Sequence, residues 1–260
     1  MARCKPDAAG RTGKSRLFYE WMPDGVETLV DVGCAYSYML DLLGRKARLK
    51  FGVEYEFAKV RQAHQRFQDV CHVCGSGEAL PLADASMDVV TFFEVLEHVE
   101  NERKFLEEVH RVLKPGGVIL ISVPNKGWAT PLDMDNLVFT PALKVTKWMG
   151  LGRGVTDYHL RHHRHYHLED LERLFDGLFS VEKVYYGGLL ANQAGFLFYK
   201  TLSIGLRICG LKEDAPLMKR MERWMNAITN WDFDHDYGRR SDKLAVLARR
   251  KSLTRYEAPS

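Results

Sequence analysis

The sequence of 260 residues has little net charge, few cysteines and no long apolar run, and each shortage narrows the choice of function. A formal charge of only +3 gives no general case for binding nucleic acid. Five cysteines and an N-terminus without a secretory signal do not indicate a disulfide framework, so we expect a cytoplasmic protein. The longest uncharged run, Val184–Tyr199, is too short to predict a transmembrane span.

Two of the cysteines form a Cys71-x-x-Cys74 pair, a spacing that zinc and redox sites use. The pair falls on a predicted strand, where residues three apart point to opposite faces. The sequence has no second cysteine pair to complete a zinc site. We therefore expect no metal site here and interpret both residues as buried strand cysteines.

The charge is unevenly distributed along the chain. Residues 1–16 carry five basic groups against one acid, and residues 249–260 carry four against one, which leaves a body of net charge −4. The basic ends are either plain solvated tails or segments attracted to an anionic membrane surface. Composition is otherwise that of a globular protein able to bury a sizeable core, with 46% hydrophobic and 27% charged residues.

The most informative stretch is Thr28–Tyr36, TLVDVGCAY, an apolar run followed by a glycine turn and then a helical pattern. This order predicts the strand, turn and helix that open a nucleotide-binding βαβ unit. Glu54 follows Gly33 by about 20 residues, at the end of a second apolar run. An acid there can accept hydrogen bonds from both hydroxyls of a ribose, so the pattern favours an adenosine-containing ligand.

The glycines of the turn indicate which adenosine ligand is favoured. A dinucleotide fingerprint needs Gly-x-Gly-x-x-Gly, whereas here Ala35 takes the second glycine position and no third glycine follows. S-adenosylmethionine carries no phosphate, so the turn does not have to bring its backbone close to a pyrophosphate and needs fewer glycines. Asp31, on the strand before the turn, can orient the turn and meet the ammonium group of such a ligand. A generic strand, turn and helix without a ligand is the alternative interpretation.

Two further runs, Gly75–Val99 and Phe105–Asn125, carry the motifs GSGEALP, EVLEHVE and LKPGG. In this order they resemble the class I S-adenosylmethionine-dependent methyltransferases, most closely the small-molecule group that includes the ubiquinone and menaquinone enzymes. The resemblance covers Leu29–Asn125 and returns at His162–Phe175, HHRHYHLEDLERLF.

The resemblance implies a cofactor site made by four loops. Its expected residues are Asp31, Gly33, Cys34, Ala35, Glu54, Tyr55, Ser76, Gly77, Glu78, Phe93 and Glu94. The sequence departs from the family pattern twice. Ser76 stands where the family commonly has an acid for the adenine amino group, and Ser37 stands where it has a glycine.

The same resemblance implies residues on the acceptor side. His98, after Glu97, is a candidate general base, with a packed loop histidine as the alternative. The histidine-rich stretch Tyr158–His167 fits a family His-x-Arg-x-aromatic pattern at His162, Arg164 and Tyr166. The resemblance implies that Arg164 and Tyr166 bind the acceptor and that His162 is a second catalytic candidate, with a solvated basic loop as the alternative. Metal binding is disfavoured, because no acid lies within Tyr158–His167 and the spacing of its histidines fits no zinc signature well.

The expected fold is α/β: a doubly wound, mostly parallel, seven-stranded sheet of the Rossmann-like methyltransferase type with a helical insertion or cap. The predicted strands are Thr28–Val32, Leu49–Glu54, Val70–Cys74, Met87–Phe93, Val118–Val123, Phe179–Tyr186 and Lys243–Ala248. The predicted helices are Lys14–Trp21, Tyr36–Leu43, Phe57–Phe67, Glu102–Leu113 and His167–Phe175. Residues 1–14 are expected to be a mobile tail and 15–260 one domain, with a lid loop at 126–157 and a helical insertion at 187–242.

The insertion begins with a strongly apolar segment, 187–210, in which polar residues form one narrow helical stripe. It is either a helix packed as a cap or an interfacial helix that contacts a membrane or a lipid tail. The leading function is methyl transfer from S-adenosylmethionine to a small-molecule or lipid-linked acceptor, more often at oxygen than at nitrogen or carbon. The alternatives are a non-catalytic cofactor-binding or interaction protein of this fold and a nicotinamide-dependent oxidoreductase. The sequence leaves the acceptor and the oligomeric state open.

Overall fold

The computed structural model describes residues 12–128, 130–133, 136–137, 140–150, 163–189 and 216–252. The strands are β1 (Val26–Val32), β2 (Ala47–Glu54), β3 (Cys71–Cys74), β4 (Met87–Phe93), β5 (Leu113–Pro124), β6 (Phe179–Gly187) and β7 (Lys243–Arg250). The α-helices are α1 (Gly13–Trp21), α2 (Tyr38–Leu43), α3 (Phe57–Arg66), α4 (Glu102–Val112), α5 (Thr140–Trp148), α6 (Leu168–Phe175) and α7 (Pro216–Phe233). Short 3₁₀ turns occupy Gly44–Lys46, Leu96–His98, Thr130–Leu132 and Gly238–Arg240.

The strands form one seven-stranded sheet in the order β3-β2-β1-β4-β5-β7-β6. The pairings β2–β3, β1–β2, β1–β4 and β4–β5 are parallel. The pairing of β6 with β7 is antiparallel, because the amide of Lys251 donates to Leu178 while Ser180 reaches Arg249, so residue numbers run in opposite directions. The predicted α/β fold, doubly wound on a mostly parallel sheet, is confirmed.

The core of the sheet lies at β4 and β5. Val118–Val123 is buried along its whole length, as expected for a central parallel strand covered on both faces. Helix α4 packs there because Phe105, Leu106, Val109 and Val112 fall on one side and are fully buried. The side chain of Asn101 accepts a hydrogen bond from the Lys104 amide and so caps the helix start.

Several element boundaries differ from prediction by one to five residues, and two of them have a reason in the backbone conformation. Helix α2 begins at Tyr38 rather than Tyr36, because Ala35 and Ser37 have positive φ angles of 46° and 62° and cannot start a right-handed helix. Strand β5 begins at Leu113 rather than Val118. Leu113 pairs with Met87 ahead of an irregularity that contains Gly116.

The interpretation of Cys71 and Cys74 as buried is wrong. Both thiols are exposed and unbridged. The reason lies in the strand order, which places β3 at the edge of the sheet, where side chains have a neighbouring strand on one side only.

The chain divides into two compact units. We call Phe18–Val123, Leu168–Val184 and Ala245–Ser260 the sheet unit. We call Met1–Leu17, Pro124–His167 and Tyr185–Leu244 the helical unit. The proposed lid loop and helical insertion fall in the helical unit, and most of 187–210 lies outside the described residues. Within the described ranges, no helix is both long and apolar enough to cross a bilayer.

Candidate functional site

The turn after β1 depends on a glycine. Gly33 has φ +74°, a conformation that side chains rarely adopt. A Cβ atom added to Gly33 would lie 2.5 Å from a methyl carbon of Val95, in the loop after β4. Both the conformation and the space therefore require glycine, and the absence of a side chain lets the loops after β1 and β4 approach closely.

The backbone donors of this turn are directed at the end of β2. The amides of Gly33 and Cys34 both donate to the Val53 carbonyl, at 2.7 and 3.2 Å. The Ala35 amide donates to Glu54 Oε2 at 2.9 Å. A pyrophosphate at such a turn needs free backbone N–H groups, and here three successive amides are already used.

The carboxylate of Glu54 connects the loop after β1 with the loop after β2. Oε2 accepts from the Ala35 amide, and Oε1 accepts from the Glu56 amide at 3.0 Å. The residue is only 8% exposed. An ionised carboxylate offers about four acceptor positions, so about two remain, as many as a ribose has hydroxyl donors.

Asp31 and Cys34 lie beside Glu54 in the sheet unit. Asp31 is 3% exposed, and its Oδ1 accepts from the Thr91 hydroxyl at 2.7 Å, which fixes the carboxylate at the end of β1. Burial, helped by the negative charge of Asp31, raises the pKa of the Cys34 thiol to about 12. Cys34 is therefore a neutral, buried side chain of the turn and no nucleophile.

Ser37 makes a contact that the sequence did not predict. It is fully buried with φ 62°, and its hydroxyl lies 2.8 Å from Nε2 of His72 on β3. Burial, together with the nearby His64, lowers the pKa of His72, so the imidazole is neutral at physiological pH. The hydrogen bond explains how a serine takes the left-handed position that the family fills with glycine. The sequence does not reveal this contact, because the contact depends on the strand register that places His72 opposite Gly52.

The loop after β3 is folded on itself. The Glu78 amide donates to the Ser76 hydroxyl at 3.2 Å. A Cβ on Gly77 would lie 2.5 Å from the ring of Phe105, so this position also requires glycine. Oε1 of Glu78 accepts from the amides of Glu100 and Asn101, at 2.7 and 3.1 Å, which holds the loop against the start of α4. The assignment of Ser76, Gly77 and Glu78 to adenine stays a prediction.

The loop after β4 contains the remaining residues predicted for this unit. Glu94 has φ 56° and accepts from the Ser122 hydroxyl at 2.8 Å, while Phe93 packs on Phe18 with ring centroids 4.5 Å apart. His98 Nε2 lies 4.0 Å from Oε1 of the buried Glu97. The carboxylate sits where it can orient or charge-stabilise the imidazole. Glu97 is a second functional candidate that sequence analysis did not select.

Tyr55 is 67% exposed, directly after Glu54. The exposed ring provides a flat apolar surface at the carboxyl end of β2, which suits a stacked adenine. Its placement follows from Glu54, whose carboxylate accepts from the amide of Glu56, the residue after Tyr55. The structure therefore brings Asp31, Gly33, Cys34, Ala35, Glu54 and Tyr55 to the ends of β1 and β2, which are neighbours in the sheet.

The acceptor-side residues belong to the helical unit. The backbone of Tyr166 pairs with that of Asn125, since its amide donates to Pro124 and its carbonyl accepts from Lys126, both at 2.9 Å. Tyr166 is 4% exposed, and Arg164 is half-buried. His162 lies outside the described residues, so its role remains a prediction.

A buried acid–histidine pair lies in the same unit and was missed by sequence analysis. Asp133 Oδ2 is 3.2 Å from His165 Nε2, and both side chains are almost fully buried. Asn136 donates to Asp133 and exchanges two hydrogen bonds with the backbone of His163, at 2.8 and 3.0 Å. Burial lowers the pKa of His165, although Asp133 opposes that shift. The network joins two segments that are about 30 residues apart in sequence, so no local pattern could reveal it.

In the described part of the chain, no group of three His, Cys, Asp or Glu residues is arranged to hold a metal ion. The polar groups at the ends of β1 and β2 are backbone amides and the carboxylates of Asp31 and Glu54, which suit an organic ligand.

Comparison with known proteins agrees with this geometry. Residues 30–121 match a family described as a methyltransferase domain. A protein of Mycolicibacterium smegmatis named probable S-adenosylmethionine-dependent methyltransferase is 34% identical over 152 residues, 52% of this chain and 59% of that protein. The mitochondrial ubiquinone biosynthesis O-methyltransferase of Rattus norvegicus is 34% identical over 106 residues, 38% of this chain and 31% of that protein. The chain therefore spans less than two thirds of the length of the curated relatives it matches.

The match over residues 30–121 confirms the resemblance inferred from the sequence. The fold extends further than the sequence similarity. The crystal structure of the [4+2]-cyclase SpnF superposes with a TM-score of 0.54 at 18% identity, covering 90% of this chain and 80% of that one. A cyclase with this fold shows that the fold alone does not specify the reaction.

Proposed function

We propose that this protein is an enzyme that binds S-adenosylmethionine at the carboxyl ends of β1 and β2 and transfers its methyl group to a small-molecule or lipid-linked acceptor. The observation that carries the proposal is the Glu54 carboxylate, held by two backbone amides with about two acceptor positions left. The names of the similar proteins support it. A nicotinamide-dependent oxidoreductase is disfavoured, because the amides of the turn are used within the protein.

The residues of the sheet unit fit the parts of this cofactor. Glu54 would accept from the ribose hydroxyls, and the Tyr55 ring would cover the adenine. Asp31, at the base of the Gly33–Ala35 turn, would stabilise the ammonium of the methionine end. When bound, S-adenosylmethionine supplies a methyl group on a positively charged sulfur. The protein then has to align the acceptor and exclude water.

A hydroxyl acceptor must also lose a proton, so O-methylation needs a base. We assign this role to His98 of the sheet unit, with Glu97 available to stabilise the imidazolium that forms. Arg164 and Tyr166 remain the proposed acceptor-binding residues and His162 the second catalytic candidate. O-methylation is preferred because the similar ubiquinone biosynthesis enzyme is named an O-methyltransferase.

We also retain a cytoplasmic location, since exposed free thiols at Cys71 and Cys74 suit a reducing compartment. Contact of the segment 187–210 with a membrane surface stays part of this proposal, together with a lipid-linked acceptor. No nucleic-acid partner is proposed.

Calorimetric titration of S-adenosylmethionine tests the cofactor assignment. Glu54→Ala removes two hydrogen bonds to a charged acceptor, each worth about 1.5–3 kcal/mol, so affinity should fall at least about tenfold. Glu54→Gln, which keeps one acceptor oxygen, should lose less. Glu107→Ala is the matched control, because Glu107 is an exposed acid of the same unit on α4.

Thermal unfolding of the same variants separates lost contacts from lost folding. If Glu54→Ala stays folded and binds S-adenosylmethionine as tightly as the wild type, the cofactor assignment is wrong. Tight binding of a nicotinamide dinucleotide in its place would favour the oxidoreductase alternative. Binding of S-adenosylmethionine without any methylated product, after a screen of cell extracts, would favour the non-catalytic alternative.

A further inference from the structure

The solvent-facing side of α7 carries its largest apolar side chains. Trp224, Ile228 and Trp231 are 64%, 42% and 62% exposed. They are four and three residues apart, so they form one stripe along the helix. Arg220 is exposed four residues before Trp224 and extends the same stripe.

The other side of α7 already has partners within the helical unit. Met221, Met225 and Thr229 are less exposed than the stripe, and Asp232 and Phe233 at the end of the helix are buried. Phe233 packs on Tyr185 with ring centroids 5.6 Å apart, and its carbonyl accepts from the Tyr185 hydroxyl at 2.8 Å. The helix is therefore fixed by one face and presents the tryptophans on the other. A helix on a protein surface normally shows the reverse distribution.

Helix α5, in the same unit, repeats the pattern. Val145, Trp148 and Met149 are 53%, 86% and 56% exposed and lie on adjacent positions of one face. Lys144 and Lys147 are exposed beside them. The nine residues of α5 include no acid.

Single exposed apolar residues are ordinary on protein surfaces, but aligned tryptophans flanked by Lys and Arg are not. Tryptophan prefers the boundary between lipid headgroups and acyl chains, and basic side chains beside it reach anionic headgroups. A protein partner would have to match two separate helices with basic flanks, whereas a charged lipid surface needs no such match.

We infer that α5 and α7 of the helical unit dock on an anionic membrane surface, with Trp148, Trp224 and Trp231 at the headgroup level. This surface is distinct from the segment 187–210 and does not depend on the proposed methyl transfer.

Sedimentation of the full chain with vesicles tests the inference. We expect binding to vesicles that contain phosphatidylglycerol, little binding to pure phosphatidylcholine, and weakening by salt. The double variant Trp224→Ala/Trp231→Ala should bind about tenfold more weakly or worse, since large apolar areas no longer enter the interface. Exchanging Lys144 and Lys147 for Gln should cost about fivefold each.

Phe57→Ala is the matched control, because Phe57 is a comparably exposed aromatic residue, at 68%, on α3 of the sheet unit. Its vesicle binding should equal that of the wild type. Alanine favours helix, so the tryptophan variants should fold, which circular dichroism checks.

The inference fails if the wild type stays in the supernatant at low salt. It also fails if the tryptophan variants bind vesicles as well as the wild type, since binding would then belong to another segment such as 187–210. Loss of a dimer in the variants, without vesicle binding by the wild type, would assign the face to a second copy of the chain. Calorimetry with S-adenosylmethionine is independent of these outcomes and keeps a failure here separate from a failure of the proposed function.

Discussion

Two buried acids, Glu54 in the sheet unit and Asp133 in the helical unit, are held in different ways. Glu54 accepts from backbone amides that are near it along the sheet, at Ala35 and Glu56. Asp133 accepts from the amide of Asn136 at 3.4 Å and from the side chains of Asn136 and His165. A carboxylate fixed by the main chain keeps its position and has acceptor capacity left for a ligand. A carboxylate that also contacts a histidine of another segment connects two parts of the chain instead.

The comparison places the acid proposed for the cofactor in the sheet unit, where the proposed base His98 also lies, and replacing His98 has the largest expected effect. If His98 removes a proton from a hydroxyl acceptor, His98→Ala should lower turnover by about 10²–10⁴-fold. The affinity for S-adenosylmethionine should stay unchanged in calorimetry. His64→Ala serves as the control, because it removes another histidine of the same unit. Full activity in both His98→Ala and His162→Ala would leave alignment alone as the mechanism.

Gly33 shows how far the turn can be altered before the site is lost. Gly33→Ala places a methyl group against Val95 at a positive φ, so strain of about 1–2 kcal/mol and overpacking of about 1–3 kcal/mol add together. The free energy of unfolding, measured in urea, and the affinity for S-adenosylmethionine should both decrease. Gly116→Ala is closely matched, since Gly116 has φ +77° and open space around it, so only strain should appear. Equal losses in the two variants would show that the contact with Val95 is unimportant.

Asp133→Ala tests whether Asp133 stabilises the fold without binding the cofactor, in contrast to Glu54. Removing hydrogen bonds to a charged acceptor should lower the free energy of unfolding by about 1.5–3 kcal/mol. Cofactor affinity should not change, in contrast to Glu54→Ala. Asp24→Ala is the control, because that side chain is 91% exposed and should contribute little. A variant as stable as the wild type would mean that Asp133 does not connect the two segments.

The smallest effects are expected at Ser37. Ser37→Ala keeps the left-handed strain and loses the bond to His72, at a cost of about 0.5–1.5 kcal/mol in unfolding free energy. Ser37→Gly loses the same bond but also relieves the strain, so it should lie closer to the wild type. If the alanine variant is the more stable of the two, the strain is not significant.

His72 adds a pH dependence with a defined sign. The pKa of His72 is lowered in the folded protein. As the pH falls below the ordinary value of about 6.5, the imidazole is therefore protonated in the unfolded chain while it stays neutral in the folded protein. The stability linked to His72 is present above that pH and is lost as pH falls. His72→Gln should flatten the decline of unfolding free energy below pH about 6.5. Burial also lowers the pKa values of His110 and His165, so these two residues should maintain part of the decline of unfolding free energy in the variant. An unchanged slope in His72→Gln would contradict this linkage.

The features that local sequence fixes were predictable. The β4 bounds agree with the prediction at both ends, and the turn with Gly33 and Glu54 lies where its motif placed it. The pairs that depend on register or on distant segments were not predictable, as with Ser37 and His72 or Asp133 and His165. The error about Cys71 and Cys74 has the same origin. Strand patterns give alternation but not the position of a strand in the sheet, and edge position decides exposure.

That edge position also makes β3 a selective labelling site. Cys71 and Cys74 are accessible to thiol reagents, whereas the Cys34 thiol is buried and remains protonated. Cys74 Sγ lies 3.4 Å from the carbonyl of Tyr55, whose ring is proposed to cover the adenine. In a variant without Cys4 and Cys209, a small fluorophore on β3 would report directly on ligand arrival through a change in its emission.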